Sequence, residues 1–456
     1  MTPATIDVTK LVDEQRIGFF TIRLVILSFV VMLTDGYDLA ASAYSGPGLI
    51  ADWHIHASDL GPVFSASPLG IVVGSPVLGS LGDRFGRRLT VILCTMIFGL
   101  FSLFCSGAHS VTELATLRFI TGVGLGGMLP NITALNAEFA PLRARATLVV
   151  LMFMGITTGG TLPALVVAAL PNYGWQILYR VGGIVPIAIA IVLYFWLPES
   201  IKFLSLRRDK KSRHHLERSV RQLRPDLAIS ADTIFLSPDT QRSRSASVIA
   251  LFQDGLHWIT PLLWLLFVIN LAANYFLYSW MPVLFRAEGF SPRLAALTTA
   301  CYYAGGVLGG LTVSWWIDRR GFVPVVVFFA VACPAVACIG IPGLPPAAVT
   351  GFVFLSGFCV LGVQLGLNAA SGLIYPTRMR ATGVGWAFGI GRLGGIVGPL
   401  VGAWLIGMHL STPRLFLAPV VPLVFGTVGC FFLVLLCRAY FRGDRLSDTA
   451  PLIDAS

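Results

Sequence analysis

The sequence predicts an all-α polytopic membrane protein, with twelve transmembrane helices arranged as two six-helix bundles. Three observations lead there. Of 456 residues, 55% are hydrophobic and only 12% charged, whereas soluble domains carry roughly 25% charge; the mean hydropathy of +0.79 agrees. The apolar residues form long uncharged runs, and a helix needs about 20 of them to cross a bilayer. The two halves also repeat at a fixed offset of 235 residues.

The runs predict spans over 18–42, 59–81, 89–109, 112–135, 146–169, 177–197, 258–284, 293–316, 323–341, 347–372, 382–408 and 415–438. They divide into an N-terminal bundle (1–197), a basic linker (198–257), a C-terminal bundle (258–438) and a tail (439–456). Most Lys and Arg fall in alternate loops. Arg180, Arg286, Arg293 and Arg414 lie at the other side or its edge, while Arg118 and Arg392 lie within spans. This positive-inside asymmetry predicts cytoplasmic termini in the inner (plasma) membrane. The net charge of +10 therefore reads as orientation rather than nucleic-acid binding. The segment before the first span has no signal-peptide pattern. The linker, with Arg207, Arg208, Lys210, Lys211, Arg213, Arg218, Arg221, Arg224, Arg242 and Arg244, reads as a basic amphipathic connector on the anionic inner leaflet. An unstructured linker is the alternative.

The repeat is carried by four motifs. Asp83-Arg84-x-Gly86 matches Asp318-Arg319-x-Gly321, and Pro141 with Arg145-Ala146-Thr147 matches Pro376 with Arg380-Ala381-Thr382. Gly122 and Gly127 match Gly357 and Gly362, and Gly159-Gly160 matches Gly394-Gly395. Such parallel repeats imply two similar bundles about a central pathway, rocking against each other. The eight cysteines lie mostly in apolar runs without a Cys-x-x-Cys pair, so no metal or disulfide is expected. Glycine-rich runs such as Gly122–Gly127 lack the Gly-Lys-Ser/Thr ending of a phosphate loop and read as close helix packing.

The candidate coupling residues are Asp35, Asp38 and Arg118. A carboxylate at mid-bilayer costs about 2.5–3.5 kcal/mol on insertion scales, so one retained there faces a cavity or a partner. Asp35 and Asp38, three apart, share a helical face. At about 1.5 Å per residue, Asp35 lies roughly 20 Å from the inner face and Arg118 roughly 9 Å from the outer one. In a core about 30 Å thick the two depths nearly coincide, which predicts an Asp35–Arg118 pair that protonation would open, releasing Arg118 to meet a substrate carboxylate. Asp35 maps by the repeat onto Asn270 and Arg118 onto Val353, so any proton relay belongs to the first half. Arg392, the cation inside the second half, is the candidate for bidentate recognition of a substrate carboxylate. Asn270, Asn274, Tyr278, Gln364, Asn368 and Trp386, with Tyr275 and Trp280, are candidates to line a pocket for a flat ring.

The loop Gly82-Asp83-Arg84-Phe85-Gly86-Arg87-Arg88 supplies a tight turn, a capping carboxylate and three guanidinium groups able to reach neighbouring helix ends. Together with Glu138, Arg145, Asp318, Arg319 and Arg380 it is expected to latch one conformation. Glu138 should serve as the acidic partner of Arg143, Arg145 or the loop.

Gly82–Arg88 resembles the signature loop of the major facilitator superfamily, Leu114-x3-Arg118-x3-Gly122-x-Gly124-x-Gly126 its fourth-span motif, and Pro198-Glu199-Ser200 the end of its sixth span. Asp35-Gly36-Tyr37-Asp38, Tyr375-Pro376-Thr377 and Arg380–Ala387 narrow the likeness to the aromatic acid:proton symporter family. The resemblance spans nearly the whole chain. It implies the major facilitator fold, functional roles for Asp35, Asp38, Asp83 and Arg118, and a monomer with no cofactor. The expected function is import of a benzoate- or hydroxybenzoate-type acid driven by the proton gradient. Export, a non-aromatic acid such as muconate, and a non-transporting sensor are the alternatives; no motif points to an enzyme.

Overall fold

The computed structural model describes residues 5–15, 17–141, 143–207, 210–223, 234–236, 248–253, 256–375 and 379–440. Twelve helices follow the twelve apolar runs. In the first half they are α1 Phe19–Trp53, α2 Gly61–Gly79, α3 Arg87–Cys105, α4 Val111–Phe139, α5 Arg145–Ala169 and α6 Gln176–Trp196. In the second they are α7 Ile259–Ala287, α8 Pro292–Arg320, α9 Val323–Ile339, α10 Pro346–Ile374, α11 Arg380–Gly407 and α12 Val420–Tyr440. Among the described residues, ten stretches are long and apolar enough to cross a membrane. The other two are α9, shorter at 17 residues, and α4, which carries Glu113, Arg118 and Glu138 along its 29 residues.

The first span departs from its expected length. It continues to Trp53, with Pro47 inside the helix, well past residue 42. Its second half is small and polar yet buried, with Ser42 at 3% and Ser45 at 0% exposure. Packing against neighbouring helices, not lipid, sets its length.

Each bundle is held by close helix approach, and the approach repeats as the sequence does. On α2, a Cβ at Gly70 or Gly74 would overlap the carbonyls of Phe119 and Val123 on α4; on α8, Gly305 and Gly309 stand in the same relation to Phe354 and Phe358 on α10. Gly159 against Leu33 is repeated by Gly394 against Val268. Arg145 Nε donates to the Ala140 carbonyl and Arg380 Nε to that of Tyr375, both at 3.3 Å. Every one of these pairs is offset by 235 residues. Small residues let backbones touch where lipid offers no hydrophobic drive.

Each span has one end near the basic loops, called here the basic end, and one at the opposite end. The buried apolar residues form two clusters. One runs through the second bundle and into the opposite half of the first, including Tyr44, Leu49, Phe64 and Trp175. The other is confined to the first bundle's basic half, from Phe20 and Leu24 to Met128 and Phe139. The bundles therefore share a core at the opposite end and part toward the basic end. The shared seam is specific. Tyr44 Oη donates to the Ala296 carbonyl at 3.2 Å and Ser65 Oγ to that of Ile396 at 2.9 Å. Phe64 packs edge-on to Trp280 at 5.1 Å.

A cap covers the basic end of the first bundle. Residues Thr5–Asp7 and Ile234–Leu236 pair as two short parallel strands. Leu11 and Val12 from the helix Val8–Glu14, and Leu216, Val220 and Leu223 from the linker helix Lys210–Leu223, join the first bundle's basic-end cluster. Gln15 Nε2 donates to the Phe139 carbonyl at 2.6 Å. This corrects the expectation that the linker rests on lipid: over Lys210–Leu223 its apolar stripe is spent on protein. Arg208, Arg224, Arg242, Arg244 and the tail beyond residue 440 lie outside the described residues.

Candidate functional site

A cavity of about 210 Å³ lies between the bundles, on the basic side of the closed seam. The order along each helix shows this. On α1, Asp35 and Leu39 line it while Tyr44 is in the seam; on α7, Asn274 and Tyr278 line it while Trp280 is in the seam; on α11, Phe388 and Arg392 precede Ile396.

Its two walls differ. The first bundle gives mostly apolar surface, with Leu39, Ile71, Leu129, Phe153 and Ile156, and one charge, Asp35. The second gives Arg392, Asn274, Gln364, Asn368 and a group of tyrosines. Tyr275 and Tyr278 stand 4.8 Å apart, and Tyr278 and Tyr303 6.2 Å. Asp35 is 2% exposed and its Oδ1 has no hydrogen-bond partner. Arg392 is half-buried and lines the same cavity. A buried carboxylate and a guanidinium thus share one cavity, neither held by an ion pair among the described residues. An aromatic-walled cavity with one cation and a few oriented amides suits a small flat anion.

Arg118 is elsewhere. Its Nη1 lies 2.5 Å from Asp38 Oδ1, with both residues 1% exposed, and Nη2 reaches the Asp38 carbonyl at 3.5 Å. The guanidinium sits 6.0 Å from the Tyr179 ring, whose hydroxyl is 3.0 Å from Ser45 Oγ. This corrects the expected Asp35–Arg118 pair. Three residues move a side chain about 4.5 Å along a helix, which is finer than the depth argument resolves. Asp38 has the cation; Asp35 is left to the cavity.

At the basic end, the loop after α2 is tied to the ends of α4 and α6. Arg87 Nη1 pairs with Glu138, which also accepts from Ser200 Oγ at 2.5 Å. Arg88 N donates to Glu199 at 3.1 Å, and its guanidinium reaches the Tyr194 carbonyl. Gly86 has φ +105°, open to glycine at little cost, and a Cβ there would strike Glu199. Asp83 is exposed and only 3.5 Å from Arg87 as an i,i+4 pair. Gly82 packs on Asn131, and the Arg84 carbonyl accepts from Arg207 at 3.4 Å. Arg145 reaches Asp13 at 3.6 Å and Arg143 the Gln15 carbonyl at 2.9 Å. In the second half Arg319 lies over the Trp315 ring at 3.8 Å. The Asp318 side chain and residues 376–378 are outside the described residues.

Of the expected pocket residues, Asn274, Tyr278, Gln364, Asn368, Tyr275 and Arg392 line the cavity. Three do not. Trp386 is 44% exposed and stacks on Trp264 at 6.0 Å, on the outer surface. Asn270 is fully buried behind Gln364. Trp280 is in the seam, donating to the Pro399 carbonyl at 3.2 Å. Sequence reading missed Tyr303 and Thr157; Thr157 is the repeat counterpart of Arg392, a signal that was available.

Comparison with known proteins accords with this geometry. The Major Facilitator Superfamily profile matches residues 24–291 and 263–450. The chain is 35% identical to the 4-hydroxybenzoate transporter PcaK of Pseudomonas putida, over 93% of this chain and 95% of that one. It is 34% identical to a gallate transporter from the same organism, covering 91% and 92%. It is 31% identical to the 3-(3-hydroxy-phenyl)propionate transporter of Escherichia coli K12, covering 94% and 96%. Among solved structures, a bacterial homologue of the human lysosomal transporter Spinster superposes with TM-score 0.69 at 18% identity, over 94% of this chain and 99% of that one. The D-xylose–proton symporter gives 0.69 at 17%, over 91% and 97%. The resemblance read from Asp35–Asp38 and from Arg380–Ala387 is borne out by these relatives. The chain belongs to the major facilitator superfamily and is a transporter, not an enzyme.

Proposed function

We propose that this chain imports a small aromatic carboxylate together with a proton, by alternating access between its two bundles in the inner membrane. One observation carries the reading: the cavity holds a carboxylate, Asp35, and a guanidinium, Arg392, neither in an ion pair among the described residues, together with aromatic rings. The relatives named for 4-hydroxybenzoate, gallate and hydroxyphenylpropionate support the substrate class.

With the basic end in the cytoplasm, as the positive-inside rule predicts, the cavity faces inward and the seam closes the outside. The substrate carboxylate docks on Arg392, and the ring lies between Phe388 and the tyrosines. The added negative charge raises the cost of an ionised Asp35, so Asp35 takes a proton as the anion loads. Anion and proton then cross as a neutral pair. This matters energetically, because moving one negative charge inward against the potential costs about 2.3 kcal/mol per 100 mV. Asp38 and Arg118 stay paired and keep the first bundle's core neutral. The Arg87–Glu138–Ser200 contacts hold its basic end and rearrange when the bundles rock.

The test is uptake of radiolabelled 4-hydroxybenzoate into proteoliposomes, with and without an imposed inward proton gradient. The account expects accumulation above equilibrium only with the gradient. Accumulation that ignores the gradient would contradict symport.

A further inference from the structure

The second bundle's amides are not independent. Asn270 Nδ2 donates to the Val360 carbonyl at 3.3 Å and to Gln364 Oε1 at 2.9 Å. Gln364 Nε2 in turn donates to Asn368 Oδ1 at 3.1 Å. Amide oxygen and nitrogen are assigned from such networks, and here the anchor is unambiguous, since a backbone carbonyl can only accept. Val360 fixes the nitrogen of Asn270, which fixes the oxygen of Gln364, which fixes the oxygen of Asn368. The remaining group of Asn368, its NH2, is left to the cavity that this residue lines. Asn274, which also lines the cavity, is paired to the Tyr302 hydroxyl at 2.7 Å and stands outside this relay.

We infer that the second bundle's amide relay presents a fixed hydrogen-bond donor to the cavity, in which buried Asn270 directs the relay and Asn368 donates to an oxygen substituent on the substrate's ring. Asn368 is the residue that reads the substituent; Asn270 is a positioning residue with no surface in the cavity. This rests on the aromatic-carboxylate reading above and adds what that reading leaves open, namely which aromatic acids are favoured. The first bundle has no equivalent. By the repeat, Asp35 stands where Asn270 does, Leu129 where Gln364 does and Thr133 where Asn368 does. One half of the repeat thus keeps a carboxylate for the cavity, while the other keeps an amide to orient its neighbours.

A fixed donor distinguishes ring oxygen from bare ring. A site built to hydrogen-bond a substituent rejects the analogue lacking it, because its own buried groups are then left unpaired. The experiment measures apparent affinities of benzoate, of 3- and 4-hydroxybenzoate and of their methyl ethers, by competition against labelled uptake in proteoliposomes. The native chain should favour at least one ring-oxygen compound over benzoate, with the matching ether, which only accepts, keeping part of that preference. Asn368→Leu should reduce the hydroxybenzoate-to-benzoate affinity ratio by about 2- to 12-fold, the range of one neutral hydrogen bond. Asn270→Val should reduce the same ratio from outside the cavity, and Gln364→Met provides the same test should Asn270→Val fail to fold. A purely structural role would weaken every compound alike and leave the ratio unchanged, which would overturn the inference. Equal native affinity for benzoate and all the oxygen-bearing rings would also overturn it. If no aromatic acid is carried at all, the functional reading falls and takes the inference with it.

Discussion

At the scale of single residues, the two aspartates of α1 part company. Asp38 spends its charge on Arg118 inside the first bundle, and Asp35 keeps an unpartnered oxygen beside the cavity. Removing one partner of a buried pair leaves an uncompensated charge and costs about 3–5 kcal/mol. Asp38→Asn should therefore lower the unfolding temperature in detergent markedly, whereas Asp35→Asn, which relieves an unpaired carboxylate, should not. A larger loss for Asp35→Asn would restore the Asp35–Arg118 pairing expected from depth alone. Arg392 is tested through the substrate. Arg392→Lys keeps the charge but loses the planar fork, so KM for a carboxylate should rise about 10- to 100-fold, the range of a charged hydrogen bond. An unchanged KM would remove Arg392 from the binding site. The charges themselves were legible in the sequence, being costly in an apolar run. Their partners were not, because pairing turns on one helical turn of depth and on which way each side chain points.

At the scale of elements, the repeat was the most legible feature, and the structure gives its physical basis. Gly74 and Gly309 are kept small by the same neighbouring carbonyl in each half. Leucine at either position should cost at least about 1–3 kcal/mol by overpacking and should loosen α2 from α4 or α8 from α10. Gly385, where an added Cβ would meet nothing within 4 Å, should accept alanine with a slight gain in stability. Thermal unfolding of the three variants checks the contrast. Span existence could be read from hydropathy, but span ends could not. The extra length of α1 to Trp53 consists of small and polar residues buried by other helices, so hydropathy ends the span early. The linker helix shows the same limit. Its basic amphipathic pattern fits lipid or protein equally, and only the fold reveals Leu216, Val220 and Leu223 joining the first bundle's core.

At the scale of the whole molecule, two walls of unlike chemistry meet across one cavity, and one end of the interface is shut. A Cβ at Gly61 on α2 would crowd Ala403 on α11, within the seam. Gly61→Trp should hold the opposite end apart. A cysteine placed at cavity residue Leu39 should then react with a membrane-impermeant thiol reagent from the opposite face, and without Gly61→Trp should be reached mainly from the basic face. Unchanged sidedness would mean that this seam is not the gate. The proposed substrate class was legible through family motifs; the division of labour between the walls was not, because it depends on hydrogen-bond direction. The central claim is that Asp35 couples the proton to the anion, and one comparison tests it most directly. Asp35→Asn proteoliposomes are assayed for exchange of internal unlabelled against external labelled 4-hydroxybenzoate, and separately for accumulation under an imposed proton gradient. The account predicts that exchange survives while accumulation is lost; gradient-driven accumulation by Asp35→Asn would contradict it.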